Sequence, residues 1–261
     1  MAKPRTRRKP PKTLARKPAR KRPGASDDYW DITHRPLQCL VFLLPMVLAY
    51  EIGMAILHGS LPEGERPALA AQQLLKWFFS LFGATGYYLP GAALVAVLLV
   101  WHLASRNPWR VAGQPLAGMA GESILLSIPL LLLNRWLPVL QATTDGTTHS
   151  SGSRWDDLLL SVGAGLYEEL LFRLIIITLL TILLVDVLRL RQVTGVALAV
   201  ILSSLAFAAH HYYPVGADPW SSKEFAFRAA AGAYLAAVFV MRGFGLAVGC
   251  HVTYDVMAFL V

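Results

Sequence analysis

Two adjacent carboxylates, Glu168 and Glu169, occur with Arg173 inside the otherwise apolar stretch 163–173. An ionisable side chain at membrane depth is costly unless it is paired or faces an internal cavity, so such residues indicate a functional site. On an α-helix, Glu169 and Arg173 lie four residues apart with the acid first, which is the favourable order for an ion pair. Glu168 points about 100° away from that pair. The spacing therefore predicts a structural ion pair at Glu169 and a carboxylate available for chemistry at Glu168.

Histidine recurs in two later apolar stretches. His210 and His211 follow the run 203–209, and His251 precedes Asp255 by four residues. Residues four apart share one face of a helix, so His251 and Asp255 are expected side by side. Spread over three late spans, the histidines and glutamates can meet in the interior of one bundle. Two other interpretations stay open: a buried ion-pair network that only fixes helix packing, and the ion relay of a proton- or cation-coupled transporter.

The elements that must position these residues are membrane helices. Of the 261 residues, 55% are hydrophobic and only 15% are charged, and the mean hydropathy of +0.49 is too high for an ordinary soluble domain. Apolar runs of about 17–25 residues cross the hydrocarbon core of a bilayer. Seven such runs are found near Leu37–Leu57, Leu81–Leu103, Leu116–Leu137, Leu158–Leu188, Val193–Tyr213, Phe225–Met241 and Phe244–Val261. The predicted fold is therefore all-α: a polytopic membrane bundle of about seven transmembrane helices.

A weaker helix near Ala68–Phe79 carries two glutamines and a lysine. It is expected either at the membrane interface or as the start of the second span. Residues 1–35 are predicted to form a disordered basic tail, because residues 1–26 have almost no apolar content. The tail contains twelve of the 24 lysine and arginine residues. Beside a first membrane span it is expected to set topology and attract lipid headgroups, and nucleic acid is not an expected partner.

The basic residues between spans predict the orientation of the chain. If the tail is inside, the further inside loops hold Arg106 and Arg110, then Arg189 and Arg191, then Arg242, which satisfies the positive-inside rule at each turn. The sequence thus predicts a multi-pass integral membrane protein with a cytoplasmic N-terminus, expected in a plasma (inner) membrane. Residues 36–261 are expected to form its transmembrane domain.

Three short motifs, in this order on successive late spans, carry a family resemblance: Glu168-Glu169-x-x-x-Arg173, Phe207-x-x-x-His211 and His251-x-x-x-Asp255. Together they resemble the CPBP family of intramembrane proteases, which includes the CAAX prenyl endopeptidases and bacteriocin-processing or immunity proteins. The resemblance covers roughly residues 156–261, where the catalytic region is expected. The run Ser203-Ser-x-x-Phe-x-x-x-His selects His211 over His210 as the family histidine.

The resemblance implies hydrolysis of a peptide bond in a membrane-associated protein or peptide, as in CAAX-type or leader-peptide processing. Glu168 and His211 would hold and deprotonate the attacking water, and His251 and Asp255 would stabilise the oxyanion. Glu169 would fix the helix face that presents Glu168. A prenylated substrate belongs to one branch of the family, and a catalytically silent immunity or interaction protein could keep the same residues.

Two features of the implied site are left open by the sequence. Glu168, His211 and His251 match a catalytic Zn²⁺ site with three protein ligands and one open position, and the same residues also suit a metal-free, glutamic-type mechanism. The residue at position 255 is often Asn in the family. Asp donates a hydrogen bond only when it is protonated, so Asp255 is alternatively expected to orient His251.

The depths of these residues in their spans predict a cavity. Glu168 is roughly a dozen residues, about 18 Å, from the outer end of its span, whereas His211 lies near the outer end of its own. They can meet only if the bundle is hollow or the spans are offset. We therefore expect a water-filled cavity that reaches the bilayer interior and leans away from the side of the tail.

Overall fold

The structure is a computed structural model that describes residues 28–60, 62, 67–136, 154–212 and 214–260. The described residues are almost entirely helical, which confirms the predicted all-α class. In chain order the helices are α1 (Tyr29–Thr33), α2 (Pro36–Ser60), α3 (Ala70–Ser80), α4 (Leu89–Ser105), α5 (Gly113–Trp136), α6 (Arg154–Val187), α7 (Gln192–Ala209), α8 (Ser222–Arg242) and α9 (Phe244–Leu260).

Among the described residues, five helices are long and apolar enough to cross a membrane: α2, α5, α6, α7 and α8. Two further apolar helices, α4 and α9, have 17 residues each. These seven helices overlap the seven predicted runs, and the chain is a multi-pass membrane protein. The prediction of seven full-length spans is therefore confirmed for five, while α4 and α9 are one residue shorter than the shortest of those five.

The predicted second span is wrong at its beginning. Residues 81–88 form turns and irregular structure, and α4 starts only at Leu89. Gly83 has a φ of +75° in this connection, a conformation that glycine adopts at little cost. α3 is consequently a separate helix, which buries Ala71, Gln72 and Leu75 on one face.

The predicted tail, residues 1–35, lies mostly outside the described residues. Within that range, Tyr29–Thr33 forms α1. The Tyr29 hydroxyl donates a hydrogen bond of 2.7 Å to Glu122 Oε2 on α5. The Arg242 guanidinium at the end of α8 lies 3.4 Å from the centre of the Trp30 ring. These contacts fasten α1 to the bundle.

α6 has 34 residues and changes from an α-helix to a π-helix in the middle. Residues Arg154–Glu169 are α-helical, whereas Leu170–Ile177 and Ile182–Val187 are π-helical. A π-helical turn shifts the backbone hydrogen bonds by one residue and is frequent at functional sites. The Ser203 hydroxyl of α7 donates a 2.7 Å hydrogen bond to the carbonyl of Phe172 in the first π-helical segment. A polar contact from a neighbouring helix thus supports the irregular backbone inside the bundle.

A glycine allows α6 to lie close to α9. A Cβ atom at Gly165 would be 2.9 Å from the backbone nitrogen of Val252, so a larger residue would push the helices apart. The two helices pack extensively, and α9 also packs against α5. The close approach brings the glutamates of α6 within reach of His251 on α9.

Candidate active site

Glu168 on α6 is surrounded by three imidazole rings. Its Oε1 atom lies 3.4 Å from Nε2 of His210 and 3.8 Å from Nε2 of His211, while its Oε2 atom lies 3.8 Å from Nε2 of His251. These distances are longer than those of direct hydrogen bonds. A water oxygen beside the carboxylate can contact several of these atoms at once, as is common when polar groups face one another beyond 3.5 Å.

The two neighbouring histidines are oriented by the end of α7. Nδ1 of His210 and Nδ1 of His211 lie 2.5 Å and 2.9 Å from the carbonyl oxygen of Phe207. A carbonyl oxygen can only accept, so both Nδ1 atoms donate. This carbonyl is available because the last carbonyls of a helix have no partner further along it. In the neutral imidazoles, Nε2 is then the nitrogen with the lone pair, and both Nε2 atoms face Glu168.

His251 is oriented by the second glutamate. Its Nδ1 atom donates a 2.8 Å hydrogen bond to Oε1 of Glu169, which leaves Nε2 facing Glu168. The other Glu169 oxygen lies 3.1 Å from Nε of Arg173, and both side chains are fully buried. This contact is an ion pair without hydrogen-bond geometry. The Arg173 guanidinium also lies over the Phe207 ring, 4.3 Å from its centre. The predicted ion pair is confirmed, and Glu169 has the additional role of holding His251.

Asp255 lies beside His251, as the four-residue spacing predicts. Its Oδ2 atom is 3.5 Å from Nε2 of His251. The alternative expectation that Asp255 orients this imidazole stays a prediction; Nδ1 is held by Glu169, so Asp255 would act on the other ring nitrogen. Asp255 instead lies at the nitrogen that faces Glu168, where it can contact the reacting groups.

Glu168 lies between two concave regions. The first, called the cavity below, has a volume of about 450 Å³, and its polar lining comprises Ser161, Glu168, His211, Glu224, Arg228, His251 and Asp255. Ser161 and Glu168 lie in the first half of α6, Glu224 and Arg228 lie in the first half of α8, and Phe259 at the end of α9 lines the cavity as well. Those parts of the helices are opposite the predicted basic loops. The cavity therefore leans in the direction that the residue depths predict.

The second region, called the groove below, is larger and mostly apolar. It has a volume of about 720 Å³ and extends from α3 along the π-helical part of α6 to the loop after α7. His210 lines the groove, whereas His211 lines the cavity. Adjacent histidines thus approach Glu168 from two different open regions.

An ionic group that includes two lining residues of the cavity, Glu224 and Arg228, was not predicted from the sequence. Nη2 of Arg228 lies 2.7 Å from Oδ2 of Asp218 and 3.9 Å from Oε2 of Glu224. The guanidinium also lies 5.2 Å from the centre of the Tyr212 ring. The four-residue spacing of Glu224 and Arg228 predicts a helical pair. Their position over the site, however, depends on how α8 packs against α7.

The carboxylate and the neighbouring histidines form a donor set that fits a metal ion. The ligand atoms of Glu168, His210 and His211 lie within 4.8 Å of one another. A Glu/His/His set with an open position is typical of catalytic zinc, and the Phe207 carbonyl leaves both Nε2 atoms available as ligands. This set contains His210 where the sequence led us to expect His251. Nε2 of His251 lies instead near the opposite carboxylate oxygen of Glu168.

Comparison with known proteins identifies a family for this part of the chain. Residues 151–257 match the family described as Type II CAAX prenyl endopeptidase Rce1-like. The match covers all three sequence motifs and every residue of the histidine and glutamate cluster. Searches of curated proteins and of solved structures returned no match. The family resemblance inferred from the motifs is confirmed over these residues.

Proposed function

We propose that this chain, whose residues 151–257 form an Rce1-like domain of the CPBP family, is an intramembrane endopeptidase. The observation that carries the proposal is the Glu168 carboxylate, held against three imidazole nitrogens at the base of a cavity. Such a group can take a proton from a bound water and later return it to a leaving amine. A carboxylate with only a structural role would instead have its oxygens occupied by direct hydrogen bonds.

In the proposed reaction, a water in the cavity donates hydrogen bonds to Glu168 and to Nε2 of His211. Glu168 accepts a proton as the water oxygen attacks the carbonyl carbon of the scissile peptide bond. When His251 carries both protons, its Nε2–H donates to the oxyanion of the tetrahedral intermediate, while Glu169 holds its Nδ1–H. Preorganised donors of this kind supply a large part of catalysis in many hydrolases.

Collapse of the intermediate breaks the carbon–nitrogen bond. The proton that Glu168 carries passes to the leaving nitrogen, so the products are one new carboxylic acid, which ionises by releasing its proton to solvent, and one new amine. Asp255 would assist at the oxyanion in its protonated form, since only that form can donate. Glu169 and Arg173 act through His251 and through the orientation of α6, and do not themselves touch the peptide.

A metal-dependent version would use an overlapping set of residues. Glu168, His210 and His211 would hold a divalent ion such as Zn²⁺, which would polarise the carbonyl and lower the pKa of its bound water. In either version His211 faces the cavity, and His251 approaches from the opposite carboxylate oxygen. The two versions therefore differ in whether His210 is required.

The substrate class is proposed as a protein or peptide associated with the lipid bilayer. The basic loops support a cytoplasmic N-terminus in a plasma membrane, so the cavity would lean toward the outer leaflet. That direction favours a leader peptide or another membrane protein. A prenylated cytosolic protein would require access from the other side.

Purified full-length protein in liposomes, incubated with membrane-anchored fluorogenic peptides, tests the proposal. We expect cleavage of at least one peptide class by the wild type and none by Glu168→Gln. A prenylated and an unprenylated version of each peptide separate the substrate classes. Proton or cation flux without peptide cleavage would overturn the proposal in favour of a transporter.

A further inference from the structure

α3 presents different chemistry on its two outward-facing sides. Gln73, Lys76 and Ser80 follow helical spacing along one side, while Leu74 and Phe78 follow it along the next. Trp77 lies between them and is 62% exposed. Aromatic residues of this kind are typical of the level where lipid headgroups meet the hydrocarbon core.

The polar side of α3 borders a pocket of about 460 Å³. Lining residues are Gln73, Lys76, Trp77, Ser80, Thr85, Gly86 and Tyr87. Lys76 is their cationic member, and Nζ lies 4.8 Å from the centre of the Tyr87 ring. None of these lining residues carries a carboxylate. Amine, amide and hydroxyl donors therefore converge on a space whose lining side chains carry no anion, while Glu51 of α2, which does not line it, interacts electrostatically with Lys76.

The apolar side of α3 borders the groove. Leu74, Trp77 and Phe78 line it from α3, and Ile175 and Leu179 line it from α6. Trp77 lines both the polar pocket and the groove, so the two spaces adjoin at its side chain. The groove volume of about 720 Å³ falls within the range of small-molecule sites.

We propose that the polar pocket and the groove together bind one anionic glycerophospholipid of the surrounding bilayer. The phosphate would accept hydrogen bonds from Lys76, Gln73 and Thr85, and an acyl chain would follow the groove toward His210. The charge of Lys76 selects an anionic headgroup over a zwitterionic one. A lipid held here lies within reach of the catalytic cluster, yet its binding does not depend on peptidase activity.

Brominated phosphatidylglycerol and brominated phosphatidylcholine in mixed vesicles give a direct test. Bromine quenches tryptophan fluorescence on contact, so the Trp77 component is obtained by subtracting the signal of Trp77→Phe. We expect the wild type to prefer phosphatidylglycerol at this site. Lys76→Gln should reduce the preference about fivefold, the effect of one basic side chain beside an anionic headgroup. Lys76→Arg should retain it.

Matched variants separate the site from general surface charge. Lys223 is exposed at the start of α8 and does not line either space, so Lys223→Gln should leave the preference unchanged. Ala206 is an exposed small residue of the groove, and Ala206→Phe should reduce quenching by both lipids. Ala226→Phe, at an exposed position of α8 outside the groove, is the control.

Two results would overturn the proposal. The first is an equal loss of preference in Lys76→Gln and Lys223→Gln, which would indicate nonspecific attraction. The second is quenching that is indifferent to the headgroup and is displaced by a lipid-modified peptide, which would assign the groove to a substrate. Neither result bears on whether Glu168 is required for proteolysis.

Discussion

Two ionic clusters lie within apolar helices of this protein and differ in how their carboxylates are bonded. In the first, here called the anchor cluster, Glu122 receives Arg242 at 2.5 Å and 2.8 Å and Tyr29 at 2.7 Å. In the second, the site cluster, Glu168 has its imidazole neighbours at 3.4–3.8 Å. Short charge-assisted hydrogen bonds saturate a carboxylate. The same residue type therefore fastens helices where its oxygens are saturated, and it presents unsaturated oxygens to a cavity where they are not.

The tyrosine of the anchor cluster stays a hydrogen-bond donor at neutral pH. Burial, followed by the hydrogen bond to Glu122, raises the pKa of Tyr29 to about 12, so the hydroxyl remains protonated and donating at neutral pH. Every contact in this cluster joins parts of the chain that are far apart in sequence. Its role is consistent with holding α1, α5 and α8 together at the end of the bundle remote from the cavity.

The largest expected effect is that of Glu168→Gln on activity. The amide keeps the shape of the side chain but cannot accept the proton of the attacking water, so we expect a loss of about 10²–10⁴-fold or more in kcat/KM. Because Glu168 makes no saturated ion pair, the thermal unfolding of the detergent-solubilised protein should stay near that of the wild type. Retained activity would contradict the assigned difference between the clusters.

The next largest effect is expected from substitutions of His210 and His211, which distinguish the two proposed versions of the mechanism. In a metal-free mechanism, His211→Ala should lose about 10²-fold or more in kcat/KM, while His210→Ala keeps substantial activity, because only His211 lines the cavity. In a metal-dependent mechanism both variants should be inactive and should lose bound zinc by elemental analysis. Activity that survives in His211→Ala but not in His210→Ala would contradict the assignment of the catalytic histidine.

Glu169→Gln should affect stability before chemistry. Removing this carboxylate leaves Arg173 buried without its ion-pair partner, which typically costs about 3–5 kcal/mol. It also weakens the acceptor for Nδ1 of His251. We expect a lowered unfolding temperature, with activity per folded molecule less affected than in Glu168→Gln. Equal losses of activity in both variants without any loss of stability would remove the division of labour between the two glutamates.

Glu122→Gln tests the anchor cluster itself. Hydrogen bonds to charged groups are worth about 1.5–3 kcal/mol each, and Glu122 is partly exposed, so we expect a net destabilisation of about 1–2 kcal/mol. Activity per folded molecule should match the wild type, because the cluster lies away from the cavity. A selective loss of activity in a normally stable Glu122→Gln protein would mean that the two clusters are coupled.

Cysteine substitutions for labelling are expected to change the protein least. The labelling tests on which side of the membrane each cluster lies. Val215 and Arg189 are exposed beyond opposite ends of α7, and the native Cys39 and Cys250 are buried. With a cytoplasmic N-terminus, Val215→Cys should react with an impermeant reagent from outside the cell and Arg189→Cys only after permeabilisation. The reverse pattern would place the cavity on the cytoplasmic side and reopen the prenylated substrate class.

Much of the site cluster follows from local sequence patterns. Four-residue spacing on a helix predicts both the Glu169–Arg173 pair and the neighbourhood of His251 and Asp255, and both are present. The order of the three motifs was enough to indicate the family that residues 151–257 match. By contrast, the sequence motif singled out His211 and did not predict that Nε2 of His210 faces Glu168 as well. That arrangement depends on where α7 ends, at Ala209.

The sequence by itself determined where the seven apolar helices lie, apart from the beginning of α4, because the length of an apolar run is a local property that can be compared with the thickness of the bilayer. It likewise determined that α6 carries the central carboxylates. Only the tertiary structure decided that Glu169 holds His251 and that Glu122 meets Arg242, since these partners are separated by 82 and 120 residues. Which distant partner a carboxylate inside the bundle acquires depends on how closely two helices pack, as at Gly165, and not on the spacing within either helix.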